Sequence, residues 1–207
     1  PKLPFEQACY LEPLATSIHG VRKLRVNPGE SAVVIGAGNL GLVNAQVARA
    51  FGCKVMVSEV NEERCEIARS MGFEVMNPAK DDIKVRTNEF TRGRGVDNVI
   101  IAVGNTAATA QAMELVRRDG RVLFFASGHP APELNLNVND IHYGGYELIG
   151  TGGANLVDFE LSARFLSDGM VNVEKLVSHC VPLDEAQRAF ELASTPGNYR
   201  VSLVMWP

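Results

Sequence analysis

The chain reads as an α/β protein built on a doubly wound parallel sheet, and three observations predict it. Apolar runs of strand length alternate with helical patterns from Ser31 to Ile149, and strands separated by helices imply parallel pairing through crossover connections. The first run, Ser31 to Ile35, opens into Gly36-Ala-Gly38-Asn39-Leu40-Gly41 and then into a stretch with Leu42, Val43, Ala45, Val47, Ala48 and Phe51 at helical spacing. A second run, Lys54 to Ser58, ends in the acid Glu59, about twenty residues beyond the glycines. Right-handed crossovers then give the strand order 3-2-1-4-5-6.

The remaining elements follow in order. Pro4 to Leu24 is helical with interruptions. Asn61 caps a helix from Glu62 to Met71, and Gly72 stops it. Glu74 to Met76 is a short third strand, Asp81 to Phe90 a polar surface helix, and Thr91 to Gly95 a turn. Val96 to Val103 is the buried fourth strand. A helix from Thr106 to Arg117 ends at Asp119-Gly120, and Arg121 to Phe125 is the fifth strand. Ser127 to Gly145, polar and rich in Pro, Asn and Gly, reads as an ordered loop before the sixth strand, Tyr146 to Ile149. Beyond it come a helix from Asp158 to Asp168, an extended piece made of Glu174 to Val177 and Val181 to Leu183, a helix from Asp184 to Leu192, and a closing strand from Tyr199 to Met205.

The glycines form a dinucleotide-binding fingerprint of the Rossmann type. Gly36 lets the chain turn sharply out of the strand, Gly38 leaves room for a pyrophosphate, and Gly41 lets the helix pack closely on the sheet with its amides facing the phosphates. Related glycine patterns occur at S-adenosylmethionine sites, so a methyltransferase stays open at this point. Glu59 is placed to accept hydrogen bonds from both hydroxyls of an adenosine ribose, which favours NAD. A 2′-phosphate at about 4 Å from its carboxylate would meet repulsion on the order of 4 kcal/mol at an effective dielectric near 20. Arg64 borders the same ribose, or pairs with Glu63 or Glu66 on a solvated helix face.

Composition narrows the class. The 207 residues carry a formal net charge of −4 and 46% hydrophobic residues, which points to a globular protein and away from nucleic acid. The apolar runs are strand-sized, so no membrane partner is expected, and the absence of a charged and apolar leader predicts a cytoplasmic location. Cys9, Cys53, Cys65 and Cys180 lack CxxC spacing and read as idle thiols.

Further segments carry a family resemblance over essentially the whole length. They are Glu12-Pro-Leu-Ala15, Val26-Asn-Pro-Gly-Glu30, the glycine turn, Ser58-Glu59, Gly93-Arg-Gly-Val-Asp97, Arg118-Asp-Gly-Arg-Val122 and Tyr199-Arg-Val-Ser202. Together they resemble the C-terminal part of a medium-chain, zinc-dependent alcohol/polyol dehydrogenase of the sorbitol, threonine and butanediol dehydrogenase group. The resemblance implies that Gly36, Gly38, Asn39, Leu40 and Gly41 hold the pyrophosphate while Glu59 and Arg64 border the ribose. It places Val103, Gly104, Ser127 and Gly128 on the nicotinamide side. It also matches Arg200 to a basic position that reaches the pyrophosphate; an edge-strand surface arginine is the equal alternative. Glu12 matches a glutamate beside the catalytic zinc, although an exposed helix-end charge explains it as well.

The resemblance further implies a division into residues 1–24 leading in from an N-terminal catalytic domain, 25–153 binding the dinucleotide, and 154–207 returning to the catalytic domain. That domain would supply the zinc ligands, so this chain is not expected to complete catalysis alone. His19, His129, His142 and His179 form no recognisable ligand set with a cysteine, and His19 reads as a packed, hydrogen-bonded residue. The implied activity is hydride transfer between NAD and a secondary alcohol or polyol, in a homo-oligomer paired through Tyr146 to Ile149. Small residues at Gly150-Thr-Gly-Gly153 weaken any transfer of sorbitol specificity. The readings left open are a stand-alone NAD(H)-binding module and a zinc-free quinone reductase relative.

Overall fold

In the computed structural model, which describes residues 3–205, six parallel strands run in the order β3-β2-β1-β4-β5-β6. They are β1 (Ser31–Ile35), β2 (Lys54–Ser58), β3 (Glu74–Met76), β4 (Val96–Ile101), β5 (Val116–Phe124) and β6 (Glu147–Gly150). All of β1 and β4 is buried, which explains why these strands read as continuous apolar runs. Their alternate residues face different layers. Ala32, Val34 and Ile100 pack into one core and Val33, Val99 and Ile101 into the other, as the two-residue period of a strand requires.

The larger core lies beneath α2 (Leu11–Leu24), α3 (Asn39–Ala50), α4 (Glu62–Ser70) and α8 (Leu156–Ser167). Helix α2 buries Leu14, Ile18, Val21 and Leu24 completely, a spacing of four and three that puts them on one face. Pro13 falls in its first turn, where the missing N–H costs nothing. The smaller core lies beneath α5 (Ile83–Thr91) and α6 (Thr106–Leu115). At the ends of the chain, α1 (Phe5–Ala8) packs on a separate two-stranded parallel sheet of β7 (Val177–Pro182) and β8 (Arg200–Val204), joined by α9 (Ala186–Ala193).

Three expectations need correction. The Ser127 to Gly145 segment contains a helix, α7 (Val138–Gly144), with a reciprocal capping box between Asn137 and Asp140 and Gly145 in the left-handed region at its end. Its residues are mostly exposed, so it shows little apolar stripe to the eye; the caps were the signal. The helix expected to reach Arg117 stops at Leu115, because buried Val116 pairs with Val96 in the sheet. The chain then bulges through Asp119 at φ +56° before rejoining the ladder at Arg121. Glu174–Leu176 is a 3-10 turn rather than extended chain.

Candidate functional site

The site lies at the C-terminal ends of β1, β2 and β4. Gly36 adopts φ +101° and donates its amide to the Ser58 carbonyl at 2.8 Å. A Cβ on Gly41 would stand 1.9 Å from the Gly36 carbonyl oxygen, so α3 reaches the turn only because that residue has no side chain. A Cβ on Gly38 would meet nothing within 4 Å. The three glycines therefore serve three needs: an unusual backbone angle, a close contact within the protein, and open space outside it. Gly38 is also the N-cap of α3 and supplies no side-chain acceptor, which leaves the first-turn amides directed at that space.

A cleft of about 920 Å³ opens beside the turn. Gly36, Gly38, Glu59, Arg64 and Val103 all line it, and its far wall comes from Asp82 and from Gln111 on α6. Gln111 donates to Ser58 Oγ at 2.9 Å, which ties that wall to the end of β2. The dimensions and the mixed apolar and polar lining suit a nucleotide.

Glu59 is 7% exposed. Its Oε2 accepts from the Ala37 amide at 2.7 Å, and its Oε1 accepts from the Val60 and Asn61 amides at 2.8 and 2.9 Å. An ionised carboxylate accepts about four hydrogen bonds, so three positions are already filled by the two βα turns it joins. One position remains for a donor from outside the two turns. Arg64 pairs with neither Glu63 nor Glu66 among the described residues; Glu66 is bonded to Arg69.

Gly104, whose neighbours Val103 and Asn105 line the cleft, packs against the loop of Ser127 and Gly128. A Cβ on Gly104 would lie 2.1 Å from the Ser127 carbonyl oxygen, and one on Gly128 would lie 2.1 Å from the Gly104 carbonyl oxygen. Packing of the two loops alone therefore demands glycine at both. Asn39 and exposed Leu40 open α3 beside the turn. Arg200, at the start of β8, lies over the ring of Tyr10. Two site tyrosines were not recognised from sequence: Tyr199, whose hydroxyl donates to the Ala37 carbonyl at 3.0 Å, and Tyr10, whose hydroxyl reaches Asn39 at 2.7 Å. Tyr10 was legible as core, since it continues the stripe of Leu14 and Ile18. The partner of its hydroxyl, distant in sequence, was not.

The residues present do not fit a zinc centre. Among the described residues no group of three or more His, Cys, Asp or Glu side chains could hold a metal. Glu12 is an exposed acid in the first turn of α2. His19 Nδ1 lies 2.7 Å from Asp158 Oδ2, and His179 Nε2 lies 3.2 Å from Asn198 Oδ1. His142 sits edge-on to Tyr143.

The profile of the zinc-binding dehydrogenase family matches residues 39–168, the stretch from the glycine helix through α8. The chain belongs to that family. Among curated members it is 30% identical to the 2-dehydro-3-deoxy-L-galactonate 5-dehydrogenase of Pseudoalteromonas atlantica, over 95% of this chain and 58% of that protein. It is 29% identical to the sorbitol dehydrogenase of Bacillus subtilis, over 99% of this chain and 58% of that one. The alcohol dehydrogenase of Thermus sp. ATN1 superposes with a TM-score of 0.88 at 32% identity, covering 99% of this chain and 59% of its own. The chain thus spans somewhat more than half the length of these family members. Among the described residues no helix is long and apolar enough to cross a membrane.

Proposed function

We propose that this chain is the cofactor-holding part of an NAD-dependent oxidoreductase acting on a secondary alcohol or polyol. The observation that supports this reading best is the pairing of an uncapped α3 N-terminus with empty space at Gly38, opening into a nucleotide-sized cleft. NAD, when bound, supplies the hydride acceptor at its nicotinamide ring. The amides of Asn39, Leu40 and Gly41 would hold its pyrophosphate, and Glu59 and Arg64 would flank its ribose. Val103, Gly104, Ser127 and Gly128 would border the nicotinamide side, and Arg200 would add a positive charge to the pyrophosphate. Glu59 would disfavour a 2′-phosphate by its fixed negative charge more than by hydrogen bonds, since backbone amides occupy most of its acceptor capacity.

No step is assigned to zinc, because these residues do not assemble a site for it, and Glu12 is at most adjacent to one built elsewhere. The proposed division is 1–24, 25–153 and 154–207, with the first and last parts facing a catalytic domain. Strand β6 is an outer edge of the sheet, and we place self-association there. The four cysteines are unpaired, in keeping with a reducing cytoplasm.

The test is a fluorescence titration of the chain with NADH and NADPH. Saturable NADH binding, with NADPH weaker, is the expected result. No response to NADH, or a preference for S-adenosylmethionine, would overturn the reading.

A further inference from the structure

Tyr10, between α1 and α2, has no exposed surface, yet it touches three separate parts of the chain. Its hydroxyl lies 2.7 Å from Asn39 Oδ1 and 2.6 Å from the Leu176 carbonyl oxygen. The Arg200 guanidinium lies over its ring, 4.9 Å from the centroid. A phenol has one proton to donate, so it serves one acceptor at a time; with the Asn39 amide turned end for end, its NH2 donates to the phenol while the phenol donates to Leu176. Burial pushes the phenol well above its ordinary range, with Arg200 opposing, so the ring stays neutral.

We propose that Tyr10 is a positioning residue for the dinucleotide: its ring and hydroxyl hold Arg200 and Asn39 beside the glycine turn, where both meet the pyrophosphate. This rests on the cofactor reading above and adds to it a residue outside the fingerprint. Arg200 forms no ion pair among the described residues, so its charge is not spent within the chain. A free arginine side chain loses considerable rotamer freedom when it binds an anion, and a guanidinium already stacked on an aromatic face loses less. The neighbouring Tyr199 bonds the Ala37 carbonyl within the turn. The residue before β8 is therefore bonded to the phosphate-binding segment directly, and Arg200 is linked to it through Tyr10.

The experiment is an NADH titration of the whole chain carrying Tyr10→Phe, Tyr10→Leu, Arg200→Ala or the Tyr10→Leu/Arg200→Ala pair, with displacement by adenosine, which lacks the pyrophosphate. Tyr10→Leu is expected to weaken NADH binding about three- to tenfold, the range a cation–π contact supports. Tyr10→Phe, which keeps the ring, is expected to weaken it about twofold through loss of one neutral hydrogen bond. The double variant should be weaker than Arg200→Ala alone by only the factor of about two that Tyr10→Phe costs, because the ring acts through the arginine and the hydroxyl through Asn39. Adenosine affinity should not move in any of them. Additive losses, or adenosine weakening in step with NADH, would assign Tyr10 a general packing role and overturn the proposal. So would unchanged NADH affinity in Tyr10→Phe, which also decides the matter if Tyr10→Leu does not fold. Failure of the unsubstituted chain to bind NADH would instead overturn the cofactor reading itself.

Discussion

The two ends of the parallel sheet use polar residues in opposite ways. At the N-terminal end, Arg121 donates to both oxygens of Glu30 at 2.6 Å and to the Leu24 and Arg25 carbonyls at 2.7 and 2.8 Å. Asp97 accepts from the Ser31 amide and hydroxyl and from Arg117 Nε. These charges satisfy one another and pin α2 beneath the sheet. At the C-terminal end, the first amides of α3 lack a side-chain cap and Gly38 faces empty space. Glu59 is the exception there, because three of its acceptor positions are taken by the turns that shape the cleft. The contrast teaches that a buried charge with every partner inside the chain serves folding, whereas donors left without partners at a strand end mark a place for a ligand.

That division of labour can be broken by experiment. The largest effect is expected from Arg121→Met, which strands the Glu30 carboxylate: about 3–5 kcal/mol lost in urea unfolding, with NADH affinity preserved wherever the protein remains folded. Acid probes the same end. Burial alone would raise the Glu30 carboxyl, but bonds from Asn27, Asn98 and Arg121 outweigh it and hold the group down to about 2. Asp97 is likewise lowered on balance. Carboxyls depressed in the folded state stabilise it above their unfolded values near 4 and lose that contribution as the pH falls through the folded ones. Stability should thus be flat from pH 7 to about 5 and drop by on the order of 3 kcal/mol towards pH 2, measured by denaturant melts across that range.

The C-terminal end should respond more mildly, in binding as well as in stability. Gly41→Ala forces a methyl against the Gly36 carbonyl and is expected to cost about 1–3 kcal/mol of stability, with NADH binding lost alongside. Glu59→Gln removes charge-assisted acceptors and should cost about 2 kcal/mol in unfolding, while narrowing the preference for NADH over NADPH; an unchanged preference would remove Glu59 from cofactor selection. Gly38→Ala sharpens the comparison most. Its methyl touches nothing in the chain, so melting should shift by less than about 0.5 kcal/mol, while NADH affinity falls roughly tenfold, about 1.4 kcal/mol. Equal losses of stability and binding would mean that Gly38 has a structural role after all.

Most of the architecture is legible in the sequence. Buried strands announce themselves as apolar runs, and Asn61 and Asp82 cap their helices through their own side chains. Local chemistry of this kind needs no distant partner. The misread end of α6 has the opposite cause. Val116 leaves its helix because Val96 offers a strand partner, and nothing near Val116 in the sequence signals that competition. Helix α7 was masked by exposed residues and rests on two caps.

For the site, the sequence by itself determined the glycine turn, the acid at the end of β2 and the strand order that brings them together, because steric limits at glycine and handed crossovers are local rules. Only the tertiary structure decided that Glu59 spends three acceptors on amides, that Gly104 and Gly128 are glycines for contact with each other's loops, and that Tyr10 and Tyr199 attach β8 to the turn. Those outcomes depend on which distant groups meet once both cores have packed. Hydrogen bonds and ring stacking act over a few ångströms, and residues separated by long stretches of chain come that close only in the folded protein.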